Sequence, residues 1–582
     1  MLAWTWRTWP DPLVDFGREL YVPWQITLGR TLYRDIAYFN GPFSPYLNAL
    51  WMRLLGVSLT TVIVANLAIV AVVLALLYSL LKLAADRVSA LVACLFFIAL
   101  FGFGRIVAVG NYNFITPYSH ELTHGIALSL GALACLYLPR NLGTKNVAAA
   151  GLLMGLAFLT KVEVVLACVV AVAAGFLLRA AAEPRVQRRQ FVGVLLVTAL
   201  TPVLLAFAYL SSRMPPSTAL QGTLGSMYWT FGSKVASSPF YRAEIGIDHL
   251  RSNLADMFIG TGLLCVAALL AVGGGLVARR ITGTPTSRAA AWLALVITAL
   301  LGVLTLRSPH WFATIPKALP LAMVLFVAIW LATYIREPLV PERVRILGLR
   351  ISLSLFALTL LAKILFNTRL YHYGFALAMP AMLVLLAAVL CWGVNSVAAR
   401  FADGSVVRSV GLALTLVMVV VYLTAISSTL HKERYAVGSG SDAFLADERG
   451  AAVQSTLQWI GQNMPPGSTL AVLPEGVMIN YLSRRQNPTA YINFMPPEVI
   501  MFGEDRIVEG FKAHPPDFIV LCHKDTTEYG VPLFAHDYGQ KIGSWVHENY
   551  EGMVLLGNPP FIDAERFGIL ILRHRSTPST VY

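Results

Sequence analysis

Long apolar segments alternate along this chain with two kinds of loop, and this alternation limits the fold more than any other feature. The mean hydropathy is +0.66, and 13% of the 582 residues are charged, which is outside the range of soluble globular proteins. A helix needs about 20 mostly apolar residues to cross a bilayer. The sequence therefore predicts a polytopic α-helical membrane protein. We identify about twelve spans, at 58–82, 88–105, 123–138, 146–160, 162–180, 190–211, 256–278, 289–306, 319–335, 349–367, 375–396 and 408–428.

The loops that follow the odd-numbered spans are basic. Examples are Arg87 after the first span, Arg140 after the third and Arg408 after the eleventh. Basic loops stay on the cytoplasmic side of a membrane, so we expect the remaining loops and the tail after residue 428 to face outward, in the periplasm or outside the cell. Much of the net charge of +13 lies in these basic loops, and it therefore does not indicate nucleic-acid binding. The predicted location is the inner (plasma) membrane.

The chain divides into three expected regions. Residues 1–56 form an external first loop with interfacial helices, 57–428 form the transmembrane domain, and 429–582 form a soluble domain on the external side. A long external segment, 212–255, is long enough to fold over a site. Because residues 1–20 contain no secretory signal or span, either the first loop is translocated without one, or the chain starts downstream of a lost first span. We favour the second explanation.

The tail has the pattern of a small α/β domain. STLAVLPEG, DFIVLCHKD and FGILILRHR are short β-rich runs bounded by turn residues, which predicts strands. AAVQSTLQWIGQN, DRIVEGFKAH and GQKIGSWVHENY have the periodicity of helices between them. In the stretch that begins with LPEG, Glu475, Asn480, Arg484, Arg485 and Asn487 are either sugar-binding or lid-contacting groups, or surface residues of a supporting domain.

Three carboxylates in the first external segment are candidate catalytic groups. Asp15 and Glu19 are i, i+4 neighbours if they share a helix, and Asp35 follows them. A carboxylate near a bilayer surface is suited to act as a general base on an acceptor hydroxyl or amine. The alternative is that these are solvated charges balanced by Arg18 and Arg34.

The second external loop, NYNFITPYSHELTHG, offers Tyr118, His120 and Glu121 as substrate-binding candidates. His120 or Glu121 and His124 lie within one turn of the helix that opens the third span. His and carboxylate side chains at this spacing suit zinc, and His-Glu-Leu-Thr-His has the spacing of the HExxH motif. We nevertheless expect no metal and no cofactor, because a polar cap on the helix is the simpler interpretation.

Lys161 and Glu163 lie between two apolar runs. Ionisable groups at a span centre cost roughly 2.5–3.5 kcal/mol, so their presence favours a wet cavity at the external end. A cation there suits a lipid-linked phosphate, which makes Lys161 a donor-phosphate candidate and Glu163 a substrate-binding one. A mutual ion pair that merely tolerates burial is the alternative.

The loops after the eighth and tenth spans carry further outward-facing cations. Arg369 and His372 are candidate ligands of the donor phosphate, and His310 and Lys317 are candidate substrate-binding residues. Basic residues on the outer side depart from the usual charge bias of membrane proteins, which indicates an anionic ligand. Snorkelling towards lipid headgroups is the competing explanation.

Several motifs resemble those of the GT-C superfamily of integral-membrane glycosyltransferases, such as dolichyl-phosphate-mannose protein mannosyltransferases (glycosyltransferase family 39) and bacterial aminoarabinose transferases. Asp15 precedes a G-x-x-x-Y-x-D element at 29–35 and a Pro-rich lead at 41–46. GLLMGLAFLTK is similar to a G-x-x-x-G-x-x-x-x-x-K element that ends at Lys161, and RLYHYGFALAMP is similar to the lead into a late span. The family's first span and a DxD metal motif are missing.

The resemblance implies an inverting, metal-independent glycosyltransferase. Its donor would be a polyprenyl-phosphate-linked sugar in the membrane lipid, and its acceptor a protein, a lipid or a glycan on the outer side. Asp15 would be the catalytic acid/base and Lys161 a contact to the donor phosphate. Two alternatives remain open from the residues: a transporter or flippase for a lipid-linked or anionic solute, and a non-catalytic subunit of polysaccharide assembly.

Overall fold

The helices of the computed structural model follow the apolar segments of the sequence. The structure describes residues 1–181, 184–232, 235–282, 314–336, 340–398, 404–563 and 565–576, with isolated positions between 292 and 302. Within these residues, 8 helical segments are long and apolar enough to cross a membrane. They are Leu59–Ala84, Val162–Ala180, Arg185–Ser211, Pro239–Gly273, Ile315–Arg336, Pro341–Ile364, Gly374–Ser396 and Gly404–Leu430. The chain is a multi-pass membrane protein.

The other expected spans correspond to shorter helices. Arg87–Gly102 and Thr144–Phe158 are apolar but short, and His120–Tyr137 covers the span expected at 123–138. The span expected at 289–306 lies largely outside the described residues. The remaining helices before residue 430 are Phe16–Thr27, Phe43–Leu55, Pro216–Leu224, Ser226–Gly232, Pro239–Ile245 and Leu250–Thr282, the last two of which contribute to the span Pro239–Gly273.

The basic loops meet at one end of the helical bundle. Arg345 donates a hydrogen bond to the carbonyl of Leu138 at 3.1 Å, and Arg350 donates to the carbonyl of Ala84 at 2.7 Å. Both arginines lie in the first turns of Pro341–Ile364, so they tie the loops after the first and third spans to the same end. The tail packs at the opposite end, where the backbone N–H of Leu59 donates to Asp442 at 2.7 Å, and it also contacts the first segment through Asp15 and Glu475.

The tail forms a four-stranded sheet flanked by helices, as the sequence predicts. The strand order is β3-β4-β6-β5, with β3 and β4 parallel and β6 antiparallel to both of its neighbours. The strands are β1 Tyr435–Val437, β2 Phe444–Ala446, β3 Leu470–Leu473, β4 Phe518–Cys522, β5 Tyr550–Gly557 and β6 Gly568–His574. The helices are Arg449–Asn463, Val477–Ser483, Pro496–Phe502, Glu504–Ala513 and Gln540–Asn549. The three predicted strands and three predicted helices are confirmed.

The first segment is enclosed between the tail and the membrane helices. In Phe16–Thr27, every residue except the last is buried. A Cβ atom on Gly17 would lie 2.3 Å from the backbone nitrogen of Met478, and one on Gly41 would lie 2.2 Å from the carbonyl oxygen of Leu159. Because only glycine permits both approaches, the segment packs closely against the tail on one side and the membrane domain on the other.

Candidate functional site

A cavity of about 770 Å³ lies where the tail, the first segment and one end of the helical bundle meet. Its volume is in the range of small-molecule sites. Its walls combine apolar and aromatic groups with charged side chains from the first segment, the membrane helices and their loops, and the tail. The charged and histidine side chains that line it are Asp15, Arg18, Lys161, Glu163, Glu244, Lys363, Arg369, His372, Glu475, Glu498, Lys524 and Glu528.

Asp15 is placed in this cavity by an unusual backbone turn. It precedes Phe16–Thr27 with a φ of 54°, a left-handed conformation that non-glycine residues seldom adopt. Its carboxylate lies 3.7 Å from the guanidinium of Arg18 and keeps 24% of its side-chain exposure. Burial raises the pKa of Asp15, and the positive charges of Arg18, Lys524 and Lys161 oppose that rise. The cations therefore help to keep the carboxylate ionised.

Asp11 stabilises the turn that leads to Asp15. One of its carboxylate oxygens accepts hydrogen bonds from the backbone N–H groups of Leu13, at 3.0 Å, and Val14, at 2.8 Å. The other oxygen pairs with Arg449 of the tail at 2.6 Å. Burial acts to raise the pKa of Asp11, but Arg449 and the two N–H groups hold it below its ordinary value. Asp11 was not among the residues predicted from the sequence, although its position between Pro10 and Pro12 is typical of a turn.

Lys161 lies immediately before Val162–Ala180 and points at an aromatic ring. Its Nζ donates to the hydroxyl of Tyr118 at 3.2 Å and lies 4.5 Å from the centre of the same ring. Its residue is 8% exposed, and burial lowers its pKa to about 8. Among the described residues, no carboxylate forms an ion pair with Lys161. It is a buried cation beside a cavity, and the negative charge of Glu163 acts on it from beyond ion-pair distance.

A second lysine, Lys363, lines the cavity beside Lys161. It pairs with Glu163 at 2.5 Å, and its Nζ lies 4.8 Å from the ring centre of Tyr373. The ion pair between Lys161 and Glu163, which the sequence left as an alternative, is thus replaced by one between Glu163 and Lys363. Sequence reasoning missed Lys363 because it lies inside the apolar run at 349–367, although a lysine in such a run is itself a sign of function.

Arg369 and His372 are held by a carboxylate from the long external segment. Arg369 Nη2 lies 2.5 and 2.6 Å from the two carboxylate oxygens of Glu244 and 3.0 Å from Nδ1 of His372. The His372 ring lies 4.4 Å from that of Tyr112 and 4.3 Å from that of Tyr373. Glu244 lies in the segment expected to cover the site but was not itself predicted.

The segment 212–255 also contacts the tail above the cavity. The ring of Phe240 stacks on that of Tyr529 with centroids 4.7 Å apart, and the ring of Trp229 meets Phe502 at 5.6 Å. Phe240, Trp229 and Tyr529 all line the cavity. The external segment and the tail therefore close over the same space.

Some sequence-predicted residues lie beside the cavity, outside the lining formed by the described residues. Glu19 accepts hydrogen bonds from both the backbone N–H, at 3.1 Å, and the ring Nδ1, at 2.7 Å, of His120, and it also contacts Arg18 at 3.4 Å. Glu121 accepts a 2.5 Å hydrogen bond from the hydroxyl of Tyr38. These groups are buried and hydrogen-bonded to one another, and they connect the first segment to the start of the third span.

Other predicted residues lie farther away. Asp35 pairs with Arg34 at 2.8 Å near the surface, and Lys317 pairs with Asp256 at 2.5 Å. Neither is among the described residues that line the cavity. His310 lies outside the described residues. In the described part of the chain, no group of three or more His, Cys, Asp or Glu side chains is placed to hold a metal ion.

The tail contributes carboxyl groups with weakened acidity. Burial raises the pKa of Glu475 to about 8 and that of Glu498 to about 7, and it also raises the pKa of Glu528. Of the tail residues singled out from the sequence, Glu475 lines the cavity. Asn480, Arg484, Arg485 and Asn487 bind other groups of the protein: the carbonyl of Leu470, Asp442, the carbonyl of Pro465 and the carbonyl of Tyr491.

The cavity thus has the components for transfer from a phosphorylated donor. A carboxylate lies next to cations, which suits proton removal from an acceptor. Lys161, Lys363 and Arg369 supply positive charge for an anionic leaving group.

Comparison with known proteins supports the fold. No protein-family model and no curated protein sequence matches the chain. ArnT from Cupriavidus metallidurans, solved bound to undecaprenyl phosphate, is similar with a TM-score of 0.52 and 12% identity over 97% of this chain and 95% of that one. AglB, an archaeal oligosaccharyltransferase from Archaeoglobus fulgidus solved with an inhibitory peptide and a dolichol-phosphate, has a TM-score of 0.47 and 12% identity over 99% of this chain and 72% of that one. The similarity to ArnT confirms the GT-C-like fold over nearly the whole chain.

Proposed function

We propose that this protein is a membrane glycosyltransferase that moves a sugar from a polyprenyl-phosphate donor to an acceptor on the outer side of the membrane. The observation that carries the proposal is the cavity, in which the carboxylate of Asp15 and the ammonium of Lys161 share one space. ArnT, which has a similar fold, was solved with undecaprenyl phosphate. A lipid-linked phosphate is therefore the donor class that best fits this cavity, and the acceptor is a protein, a lipid or a glycan.

Lys161 is the proposed first contact of the donor phosphate. Lys363 and Arg369 already have carboxylate partners, Glu163 and Glu244, so a phosphate that binds them must compete with these carboxylates. Lys161 has no such competitor among the described residues, and burial strengthens its attraction for an anion. His372 would add a further donor, and Tyr118 and Glu163 would contact the sugar or the phosphate.

Asp15 is the proposed catalytic base. It would take the proton of the acceptor nucleophile while that atom forms a bond to the anomeric carbon of the sugar. The bond from that carbon to the phosphate oxygen breaks at the same time, and its electron pair leaves with the polyprenyl phosphate. Direct displacement of this kind inverts the anomeric configuration. Side-chain cations neutralise the charge that develops on the phosphate, so the proposal includes no metal ion.

Glu19 and Asp35 have supporting roles in this proposal. Glu19 orients His120 and Arg18, and Arg18 in turn contacts Asp15. Asp35 closes a turn by accepting the N–H of Thr31 at 2.7 Å. Neither carboxylate is needed as a second base.

We also propose that the cavity and the tail face the periplasm from the inner membrane. The basic loops gather at the opposite end of the bundle, where Arg345 and Arg350 lie. Positively charged loops remain cytoplasmic, so the opposite end would face outward.

The proposal is tested by incubating the purified protein in lipid nanodiscs with a panel of radiolabelled polyprenyl-phosphate sugars and candidate acceptors. A transferase releases free polyprenyl phosphate and labels an acceptor. A parallel assay in liposomes follows donor movement between leaflets. Movement of intact donor without release of polyprenyl phosphate would contradict the proposal and support a flippase.

A further inference from the structure

We propose that the tail completes the active site, and that Glu475 is the positioning residue that holds Asp15 in its reactive conformation. This inference rests on the proposed function. It assigns the C-terminal domain a direct part in the arrangement of the catalytic carboxylate.

Leu13, Asp15 and Gly17 of the first segment face residues 475–478 of the tail, where the chain enters the helix Val477–Ser483. A Cβ atom on Gly476 would lie 3.1 Å from a methyl carbon of Leu13, and one on Gly17 would lie 2.3 Å from the nitrogen of Met478. Between these two contacts, the backbone N–H of Asp15 donates to Oε1 of Glu475 at 3.0 Å. Close packing on both sides fixes the distance at which this hydrogen bond forms.

The backbone at Asp15 needs such support. Its φ of 54° is a conformation that ordinary residues avoid, and such conformations persist only where the surrounding structure enforces them. The side chain of Asp15 makes no capping hydrogen bond to the N-terminus of Phe16–Thr27. With the N–H bound to Glu475, the turn orients the carboxylate into the cavity. Without that bond, a relaxed turn would point the carboxylate elsewhere.

Glu475 is itself well fixed. It follows β3, and the carbonyl of the preceding Pro474 accepts the N–H of Phe494 at 2.8 Å. The Glu475 residue is 7% exposed, and Nζ of Lys524 lies 3.9 Å from its second carboxylate oxygen. Its carboxyl group therefore has little freedom to leave the N–H of Asp15.

Replacement of Glu475 by glutamine and by methionine separates positioning from other roles. Glu475→Gln keeps an oxygen that can accept the Asp15 N–H, while Glu475→Met keeps the length and loses the acceptor. We expect Glu475→Met to lower kcat by about 10- to 100-fold with little change in the KM of the donor, because a hydrogen bond to a charged or buried group is lost. We expect Glu475→Gln to retain kcat within about threefold.

Hydrogen exchange measures the same bond without turnover. In wild type and Glu475→Gln, the backbone amide of Asp15 should be protected from exchange. In Glu475→Met, this amide should exchange faster by a factor comparable to the loss of kcat. The amides that pair β3 with β4 should stay protected in all three proteins. The matched control is Asp505→Ala, which removes an exposed tail carboxylate paired with Lys541. This control should behave as wild type in both assays.

Together, the kinetic assay and the exchange assay distinguish positioning from the other roles of Glu475. If Glu475→Gln is as inactive as Glu475→Met, the carboxyl group itself takes part in the chemistry and positioning is refuted. If the backbone amide of Asp15 exchanges equally slowly in wild type, Glu475→Gln and Glu475→Met, the hydrogen bond to Glu475 does not hold the turn at Asp15, and positioning is refuted. If wild type turns over no donor, the proposed function fails, while the exchange experiment still tests the contact between Glu475 and Asp15.

Discussion

Replacement of Lys161 should weaken binding of the lipid phosphate more than any other loss of a single cation. Its ammonium is buried beside the cavity, and among the described residues no carboxylate lies within ion-pair distance of it. Lys161→Met keeps the aliphatic stem and removes the charge. Lys161→Arg keeps a positive charge at every pH used, since the arginine pKa is above 12. The pair of variants therefore separates charge from packing.

The size of the effect follows from burial. A hydrogen bond to a charged group contributes about 1.5–3 kcal/mol, so Lys161→Met should raise the Kd of undecaprenyl phosphate by about 10- to 100-fold. Burial lowers the pKa of Lys161 to about 8. The fraction of protein molecules in which Lys161 is protonated therefore falls from about nine-tenths at pH 7 to about one-tenth at pH 9. The ligand phosphate, with its second pKa near 6, changes little over this range.

The assay is binding of undecaprenyl phosphate to protein in nanodiscs between pH 7 and 9. Affinity of the wild type should fall by about tenfold over this range, because the protonated lysine binds and the neutral one does not. Lys161→Arg should show a much flatter profile. A wild-type profile as flat as that of Lys161→Arg, or an unchanged Kd in Lys161→Met, would refute the role of Lys161.

Further substitutions test the scaffold around Asp15. Gly17→Ala places a carbon 2.3 Å from the backbone nitrogen of Met478 and should lower the free energy of unfolding, measured by thermal denaturation, by about 1–3 kcal/mol. The control Gly193→Ala, where nothing lies within 4 Å of the added carbon, should leave it unchanged. Equal stability of the two variants would contradict the close packing at Gly17. Asp11 has a pKa held below its ordinary 3.8, so its contribution to stability is full above that value and is lost as pH falls below it; Asp11→Asn should flatten the acid limb of a melting-temperature profile, and an unchanged limb would count against it. Asp35→Asn should retain turnover within about threefold, since its carboxylate lies outside the described cavity lining; a loss comparable to that of Asp15→Asn would restore Asp35 as a catalytic candidate.

Most helices and strands could be predicted from the sequence because hydrophobicity is a local property. Runs of apolar residues marked the membrane helices, and β-rich runs marked β3, β4 and β6. The edge strand β5, Tyr550–Gly557, was missed because most of its residues are at least partly exposed, so its sequence carries less of the apolar signal. Residues that contact one another across the fold were harder to predict than residues that share an element.

The site was predicted in part for the same reason. Asp15 stood out as a carboxylate of the first segment and Lys161 as an ionisable residue between two apolar runs, and both line the cavity. Glu19 shared the i, i+4 spacing with Asp15 but is used to bind His120, a residue 101 positions away. Glu475 was noticed in the tail, but its contact with Asp15 spans 460 positions. No local pattern encodes contacts at such separations.

The role of Asp15 as the catalytic base is tested most directly by comparing wild type and Asp15→Asn in a single-turnover experiment with a radiolabelled polyprenyl-phosphate sugar. We expect Asp15→Asn to bind the donor with a Kd within a few-fold of wild type but to transfer no measurable sugar, because the base is gone while Lys161 remains. The product of the wild type should have the inverted anomeric configuration. Transfer by Asp15→Asn at the wild-type rate would contradict the central claim that Asp15 is the catalytic base.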